Sequence, residues 1–380
     1  MSPVPLSILD LAPISEGADA RTALAHTLDL ARRAEAWGFS RYWLAEHHFA
    51  AVASSSPAVL IGAVAAATRT IRVGSAAVQL GTTTAAAVTE AFGTLDALYP
   101  GRIDLGLGRS GHRRAEALAA VSGERGPAVA TRTETEIREG VVLPPPFDAS
   151  RVLASPLLTA AAGVLQQPGA RSPDFAEQVD DILALLRGTY LSPDGVALRA
   201  VPGTAADVQV WLFGSSAGAS AQLAGRLGLP FGANYHVSPA TTLDAVAAYR
   251  AAFRPGVLPE PYVVVSADAV VAESDDRAAE LVATYPNWTH SIRSGNGAVA
   301  YPDPATTPPL TEEEYALVHD RVVTQFAGAP TTVADRLDRL RALTGADELL
   351  VTGITHAHAD RVRSYELLAA EWGLAGAAAA

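Results

Sequence analysis

Apolar and polar positions fall into two rhythms along the 380 residues, short apolar runs and longer stretches with helical periodicity. Val4 to Leu11 is the first short run, a predicted strand that enters a loop at Pro13. From Asp19 to Trp37, the positions Ala23, Leu24, Leu28, Leu30, Ala31 and Ala34 share one helical face, and Gly38 stops the helix. Arg41 to Ala45 predicts a second strand. Ser54 to Ser56 and Pro57 open a helix running to Ala67, with proline in the first turn, where a missing N–H is harmless. Ile71 to Leu80 predicts the third strand, Val88 to Leu98 its helix, Pro100-Gly101 a turn and Arg102 to Gly108 the fourth strand. Strands recur about 25 to 35 residues apart, as in βαβ units of a parallel sheet.

The rhythm breaks over residues 111–170, where charged helical fragments, Pro144-Pro145-Pro146 and a small-residue segment from Leu157 to Gln167 give no clean strand. An insertion following a strand's C-terminal end lies over the barrel mouth, either as a lid or as a dimer arm or surface excursion. Alternation then resumes. Helices are predicted over Asp174–Arg187, Gln222–Leu227 and Thr241–Phe253, and strands over Val208–Phe213, Phe231–Tyr235 and Tyr262–Ala272. Ser274 caps a further helix, and the Pro-, Gly- and Asn-rich stretch from Pro286 to Pro309 predicts a second lid-like loop, about 286–310. Helices at Glu312–Phe326 and Thr332–Leu343, a strand at Glu348–Ile354 and a helix at Asp360–Trp372 complete the chain before the Ala-rich tail 373–380. Eight strands with intervening helices predict an α/β fold, a closed (β/α)8 TIM barrel spanning 1–372 as one domain, with insertions after strand four and near strand seven.

Composition narrows the function. With 49% hydrophobic residues the chain has material for a large core. A formal charge of -12, positive charge carried by Arg without any Lys, and no basic cluster argue against nucleic acid and anionic membrane as partners. No apolar run reaches the roughly 18 to 20 residues of a membrane span. Without a basic, apolar leader pattern at Met1 to Pro13, a cytoplasmic location is expected. The absence of Cys excludes disulfides, thiolate metal ligands and a Cys nucleophile.

Three places carry candidate chemistry. The second strand ends in Glu46-His47-His48-Phe49, and barrel enzymes place reactive groups at strand C-terminal ends. Imidazole titrates nearest neutrality, so His47 and His48 are candidate acid/base residues, unless they are simply a satisfied structural pair. Gly214-Ser215-Ser216-Ala217-Gly218-Ala219-Ser220 precedes a helix, where small residues, hydroxyls and helix N–H groups suit a phosphate; an ordinary helix cap is the plainer reading. Arg109, at the end of the fourth strand, offers a guanidinium to phosphate or to a planar anionic ring.

The strings Trp43 to Phe49, Val73-Gly74-Ser75-Ala76-Ala77-Val78 and Pro100 to Arg109 closely resemble, in order and spacing, the bacterial luciferase-like flavin monooxygenases. Gly214-Ser215-Ser216, Leu227 to Phe231 and Arg361 to Leu368 extend the resemblance to the C-terminus, leaving out 111–170 and 286–310. The resemblance implies a barrel that uses reduced FMN as a co-substrate and activates dioxygen through a flavin 4a-hydroperoxide to oxidise a small organic molecule. It implies acid/base work for His47, with His48 beside it, and cofactor contacts from Glu46 and Arg109. Ala76-Ala77 matches a non-proline cis peptide behind the flavin ring, and Gly214, Ser215, Ser216, Gly218 and Ser220 match the phosphate cradle. Glu90 matches a helix acid at a subunit interface, implying a homodimer. No Gly-rich dinucleotide fingerprint follows a first strand, so a separate flavin reductase is expected to supply reduced FMN. Gly81-Thr82-Thr83-Thr84 replaces the Pro and His common in the family after the third strand, removing a polar ring from the site edge.

Three rival readings share these residues. A deazaflavin coenzyme could occupy the same cradle in a hydride-transfer enzyme of the superfamily. A metal-dependent barrel hydrolase would use His47, His48, His356 and His358, although no carboxylate set supports them at ligand spacing, so no metal is expected. A non-catalytic flavin-binding subunit is the third.

Overall fold

The computed structural model describes residues 4–109, 132–170 and 173–374; the part of the expected insertion at 111–131 and the tail at 375–380 lie outside the described residues. Eight parallel staves close a barrel in the order β1 (Leu6–Asp10), β2 (Arg41–Leu44), β3 (Arg72–Ser75), β5 (Ile103–Gly108), β8 (Gln209–Gly214), β9 (Phe231–Asn234), β10 (Val263–Val271) and β12 (Glu348–Thr352), which pairs back to β1. The eight-stranded (β/α)8 expectation is met. Strands buried on both faces read as continuous apolar runs, which is why the sequence displayed them so plainly.

Side chains sort by alternation. Leu6, Ile8, Tyr42, Leu44, Leu105 and Leu212 face the helices, whereas Leu9, Trp43, Trp211, Phe213, Val264 and Leu350 fill the barrel interior. The interior matches large residues with small ones. Trp43 meets Trp211 and Phe213 edge-on, with centroids 5.3 and 5.4 Å apart. A Cβ on Gly106 would lie 2.6 Å from the Phe213 ring, and one on Gly232 only 2.3 Å from it, so these glycines make room for the aromatic plug.

The third expected strand, Ile71 to Leu80, is interrupted. The Ala76–Ala77 peptide is cis, and the chain continues as β4 (Val78–Gln79), paired to β5. Three further departures follow from local chemistry. The 111–170 stretch does contain strands, the hairpin β6 (Glu136–Arg138) and β7 (Val141–Leu143), turned by Glu139 and Gly140 at positive φ, 53 and 82°. Only alternate residues of β7 are buried, too short a pattern to stand out.

The 286–310 loop begins instead with a helix, Tyr285–Arg293, whose Tyr285 and Trp288 are buried; Pro286 is tolerated in its first turn. Its return segment is tied down as Tyr301 N donates to Ile14 O at 2.8 Å and Glu16 N to Tyr301 O at 2.9 Å. The expected helix Glu312–Phe326 splits into Glu312–Ala316 and His319–Thr324, and Phe326–Gly328 (β11) adds to β10 in parallel, because Phe326 is buried there. No helix among the described residues is long and apolar enough to cross a membrane.

The N-terminal end of the barrel holds buried charge. Arg41 donates to Asp104 at 3.1 Å, to Gln209 at 3.3 Å and to Glu348, while Arg72 grips Asp104 and both Ser7 and Tyr262 donate to Glu348. The cluster joins β1, β2, β3, β5, β8 and β12. Removing the central cation would strand two buried carboxylates, so Arg41→Met is expected to cost about 3–5 kcal/mol in urea unfolding. A loss below about 1 kcal/mol would show that Arg72 and Tyr262 suffice.

Candidate active site

The C-terminal ends of the staves open into a cavity of about 400 Å³. Its floor is the interior layer, Leu9, Phe213 and Leu350, with Ala76 and Ala77 on one wall. The rim is polar. Glu46, His47, Gln79, Arg109, Ser215, Ser216, Ser220, Asn234, His236, Asp268, Arg321 and Thr352 line it.

On the β5/β8 side, Arg109 leaves the strand end and donates through Nε to Ser220 Oγ at 3.0 Å, in the first turn of helix Ala219–Leu227. Gly218 is the N-cap of that helix, which runs on through Gln222 to Leu227. A Cβ on Gly218 would stand 3.2 Å from Ser216 Oγ and 3.5 Å from Arg109 Nη2, filling the hollow between hydroxyl and guanidinium. Small residues, hydroxyls, a cation and a helix N-terminus thus converge on one concave spot, the donor set of a phosphate site. Gly214 abuts Ser220 and Phe231 and sets the approach of this loop.

On the β2 side the Glu-His-His string divides its labour. Glu46 Oε1 meets His48 Nε2 at 2.8 Å and its Oε2 accepts from Gln79 N at 3.0 Å, while Gln79 Nε2 donates back to Glu46 O at 2.7 Å. Glu46 therefore clasps β4 to the end of β2. His48 turns towards that clasp and is not among the cavity-lining residues, whereas His47 is. The His47 ring is open to the cavity yet ringed by protein; burial, reinforced by neighbouring His48, lowers its pKa to about 4. It is neutral at pH 7.

The opposite arc was not legible beforehand. His236, two residues beyond β9, bonds through Nδ1 to Ser266 Oγ, and burial, then Arg321 and His47, lower its pKa to about 3. Asp268, within β10, accepts from Gln325 Nε2 at 3.0 Å, and Arg321 Nη2 donates to Tyr285 OH at 2.9 Å. Trp288, Ile292 and Ile354 close the apolar side. The rule that strand ends carry function would have flagged Asn234 to His236. A lone acid in the apolar run Val263–Val271 pointed to Asp268; nothing local distinguished Arg321.

The four imidazoles considered as metal ligands do not converge. His358 bonds Asp29 Oδ2 at 2.9 Å and stacks on His26 at 3.9 Å, and His356 meets Glu16 O at 3.2 Å. Among the described residues no group of three or more His, Asp or Glu could hold a metal ion.

The comparisons with known proteins place this barrel among the flavin-dependent oxidoreductases of monooxygenase type. The luciferase-like monooxygenase family model matches residues 4–134 and 159–348, and the chain belongs to that family. The match runs through 286–310 and leaves out 135–158 between its two parts, so the stretch it leaves unmatched there is shorter than the expected 111–170 insertion. The chain is 36% identical to YvbT of Bacillus subtilis (strain 168), over 97% of this chain and 96% of the relative. It is 34% identical to a luciferase-like monooxygenase of Escherichia coli (strain K12), over 96% of each. Apo-MsnO8 superposes with a TM-score of 0.73 at 30% identity, covering 98% of this chain and 99% of that one. Two more distant structures share the fold alone. These are the oxygenating constituent of 3,6-diketocamphane monooxygenase in complex with FMN (17% identity, TM-score 0.60, covering 97% of this chain and 98% of that one) and an F420-dependent secondary alcohol dehydrogenase (15%, 0.57, 96% and 99%).

His47 sets a pH signature. Its folded pKa lies below the ordinary 6.5, so the unfolded chain takes up a proton first and stability falls as pH drops from 6.5 towards 4. His47→Gln should flatten that decline relative to the wild type when urea midpoints are compared at pH 7 and 5. Equal slopes would mean that the ring titrates like a surface histidine.

Proposed function

We propose that the protein is the oxygenase of a two-component system, taking reduced FMN from a separate flavin reductase and using dioxygen to oxidise a small organic substrate. The observation that carries this reading is the placement of the Arg109, Ser216, Gly218 and Ser220 hollow and the neutral His47 on one cavity floored by apolar side chains. Reduced FMN, when bound, supplies two electrons and the centre at which dioxygen is activated. Arg109 and the 214–220 loop hold its phosphate, and Ala76-Ala77 with Phe213 offer a flat apolar backing to the ring. An imidazole nitrogen of His47 accepts and returns the proton that oxygen chemistry requires, a task for which a neutral ring is prepared at pH 7. Glu46 and His48 act by position, fixing the β2 and β4 ends between which His47 sits.

The residues of the 132–170 segment and the helix Tyr285–Arg293 shape the substrate side in this reading. Trp288 and Ile292 already face the cavity. A homodimer through helix Ala85–Leu98, which carries Glu90, goes with it; Leu98 and the nearby Leu198 and Val201 are exposed apolar side chains of the kind such an interface covers. A cytoplasmic location also goes with it.

A deazaflavin coenzyme is the second reading, favoured by the same cradle, which recognises a phosphate whatever ring it carries. Titration with reduced FMN and with reduced F420, followed by oxygen uptake in the presence of a flavin reductase, separates the two. FMN-dependent uptake coupled to substrate oxidation is the expected result, and binding of F420 alone would replace the oxygenase by a hydride-transfer enzyme. Arg109→Gln should weaken FMN at least tenfold while leaving riboflavin, which lacks the phosphate, nearly unchanged. In the same assay His47→Ala should slow turnover by about 10²–10⁴ with flavin affinity retained.

A further inference from the structure

The cavity has a second cationic group that the flavin cradle does not use. Arg109 stands at the end of β5; β10 and β12 lie three and four staves away around the ring, and Arg321, from the segment that joins them, and Thr352, at the end of β12, line the same cavity. Arg321 sits on the short helix His319–Thr324 and lines the cavity. Its only protein acceptor among the described residues is Tyr285 OH, reached by Nη2 at 2.9 Å; its Nε is buried without a partner.

The charges around Arg321 do not cancel it by direct contact. Asp268, on the cavity wall, is held by Gln325 Nε2 and meets Arg321 through the Tyr285 hydroxyl. Asp320, its chain neighbour, is gripped by Arg293 at Oδ1 and Oδ2. Glu46 is committed to His48 and Gln79 on the β2 side. His236, between Arg321 and His47, carries no charge at neutral pH. Burial raises the Asp268 pKa, against the pull of Gln325, Arg321 and Tyr285. There is a second orphan on this cavity: the Thr352 hydroxyl is buried without a partner, and Thr352 lines the cavity. Beside this polar end, Trp288, Ile292 and Ile354 form an apolar wall.

A permanently charged, planar donor with unused N–H groups at one end of an apolar pocket is matched by a ligand with a carboxylate head and an apolar body. We propose that Arg321, with Thr352, is the carboxylate-recognition subsite of this cavity, and that the oxidised substrate is an organic acid whose apolar chain lies along Trp288, Ile292 and Ile354. The proposal rests on the flavin reading in one respect, that the cofactor takes the Arg109 side and leaves this arc to the substrate.

Trp288 gives the readout, because a ligand beside it alters indole fluorescence. Octanoate and octanol serve as probes of equal chain length, titrated into the wild-type protein and into Arg321→Gln, Arg321→Lys and Arg109→Gln, with FMN affinity measured on the same samples. The expected result is that the wild type binds octanoate at least tenfold more tightly than octanol, that Arg321→Gln abolishes this preference while octanol and FMN binding persist, and that Arg321→Lys keeps part of it. Arg109→Gln should weaken FMN and leave the octanoate preference in place. Equal affinity of the wild type for the two probes overturns the proposal without any variant, so it stays testable if Arg321→Gln fails to fold. Loss of the preference in Arg109→Gln rather than in Arg321→Gln overturns it as well, by placing the acid in the phosphate cradle. Absence of FMN binding with the octanoate preference intact would instead overturn the flavin reading and leave the acid subsite standing.

Discussion

Closure of the barrel at its N-terminal end depends on one guanidinium. Arg41 reaches Asp104 on β5, Gln209 on β8 and Glu348 on β12, and those carboxylates gather Arg72, Ser7 and Tyr262 in turn. Burial pushes both Asp104 and Glu348 above the usual carboxylate range, against the pull of the arginines, so the ions hold one another in a place that penalises charge. Such a cluster specifies which strands meet, because any other register would leave one of the ions without a partner. At the other end, Asp10 performs a similar function for β1, accepting from Tyr42, Thr27 and Arg361 and so binding the first strand to the last helix.

Between these two polar layers lies the aromatic plug of Trp43, Trp211 and Phe213, for which Gly106 and Gly232 leave room. The plug keeps water from the barrel axis and becomes the floor of the cavity. Consequently, what stands on the rim titrates under desolvation. His47 and His236 are neutral, and they share that rim with two arginines on facing arcs. The mouth therefore supplies proton acceptors and fixed cations together, a combination suited to holding anionic ligands while protons are moved nearby.

The β2 terminus shows how a local string acquires distinct roles. Glu46, His47 and His48 are adjacent, but only Glu46 and His47 line the cavity. Glu46 is taken by Gln79, beyond the interruption at Ala76–Ala77, and His48 follows Glu46. His47 alone of the two imidazoles is left at the cavity.

The sequence by itself determined the rhythm of eight apolar runs and their helices, because parallel strands buried on both faces must be apolar throughout and because Gly, Pro and Ser mark where they end. It also singled out His47, Arg109 and the 214–220 loop, which line one cavity, since strand C-termini and helix N-termini are local features. It could not reveal the short hairpin at 136–143, whose apolar pattern is too brief, nor the helix at Tyr285, concealed by proline. Folding in three dimensions was needed to bring His236, from just beyond β9, Asp268, from within β10, and Arg321, from a helix expected to be continuous, to one cavity with Arg109. Their nearness comes from the closing of the barrel, which joins residues far apart in the chain, and no periodicity along that chain encodes it.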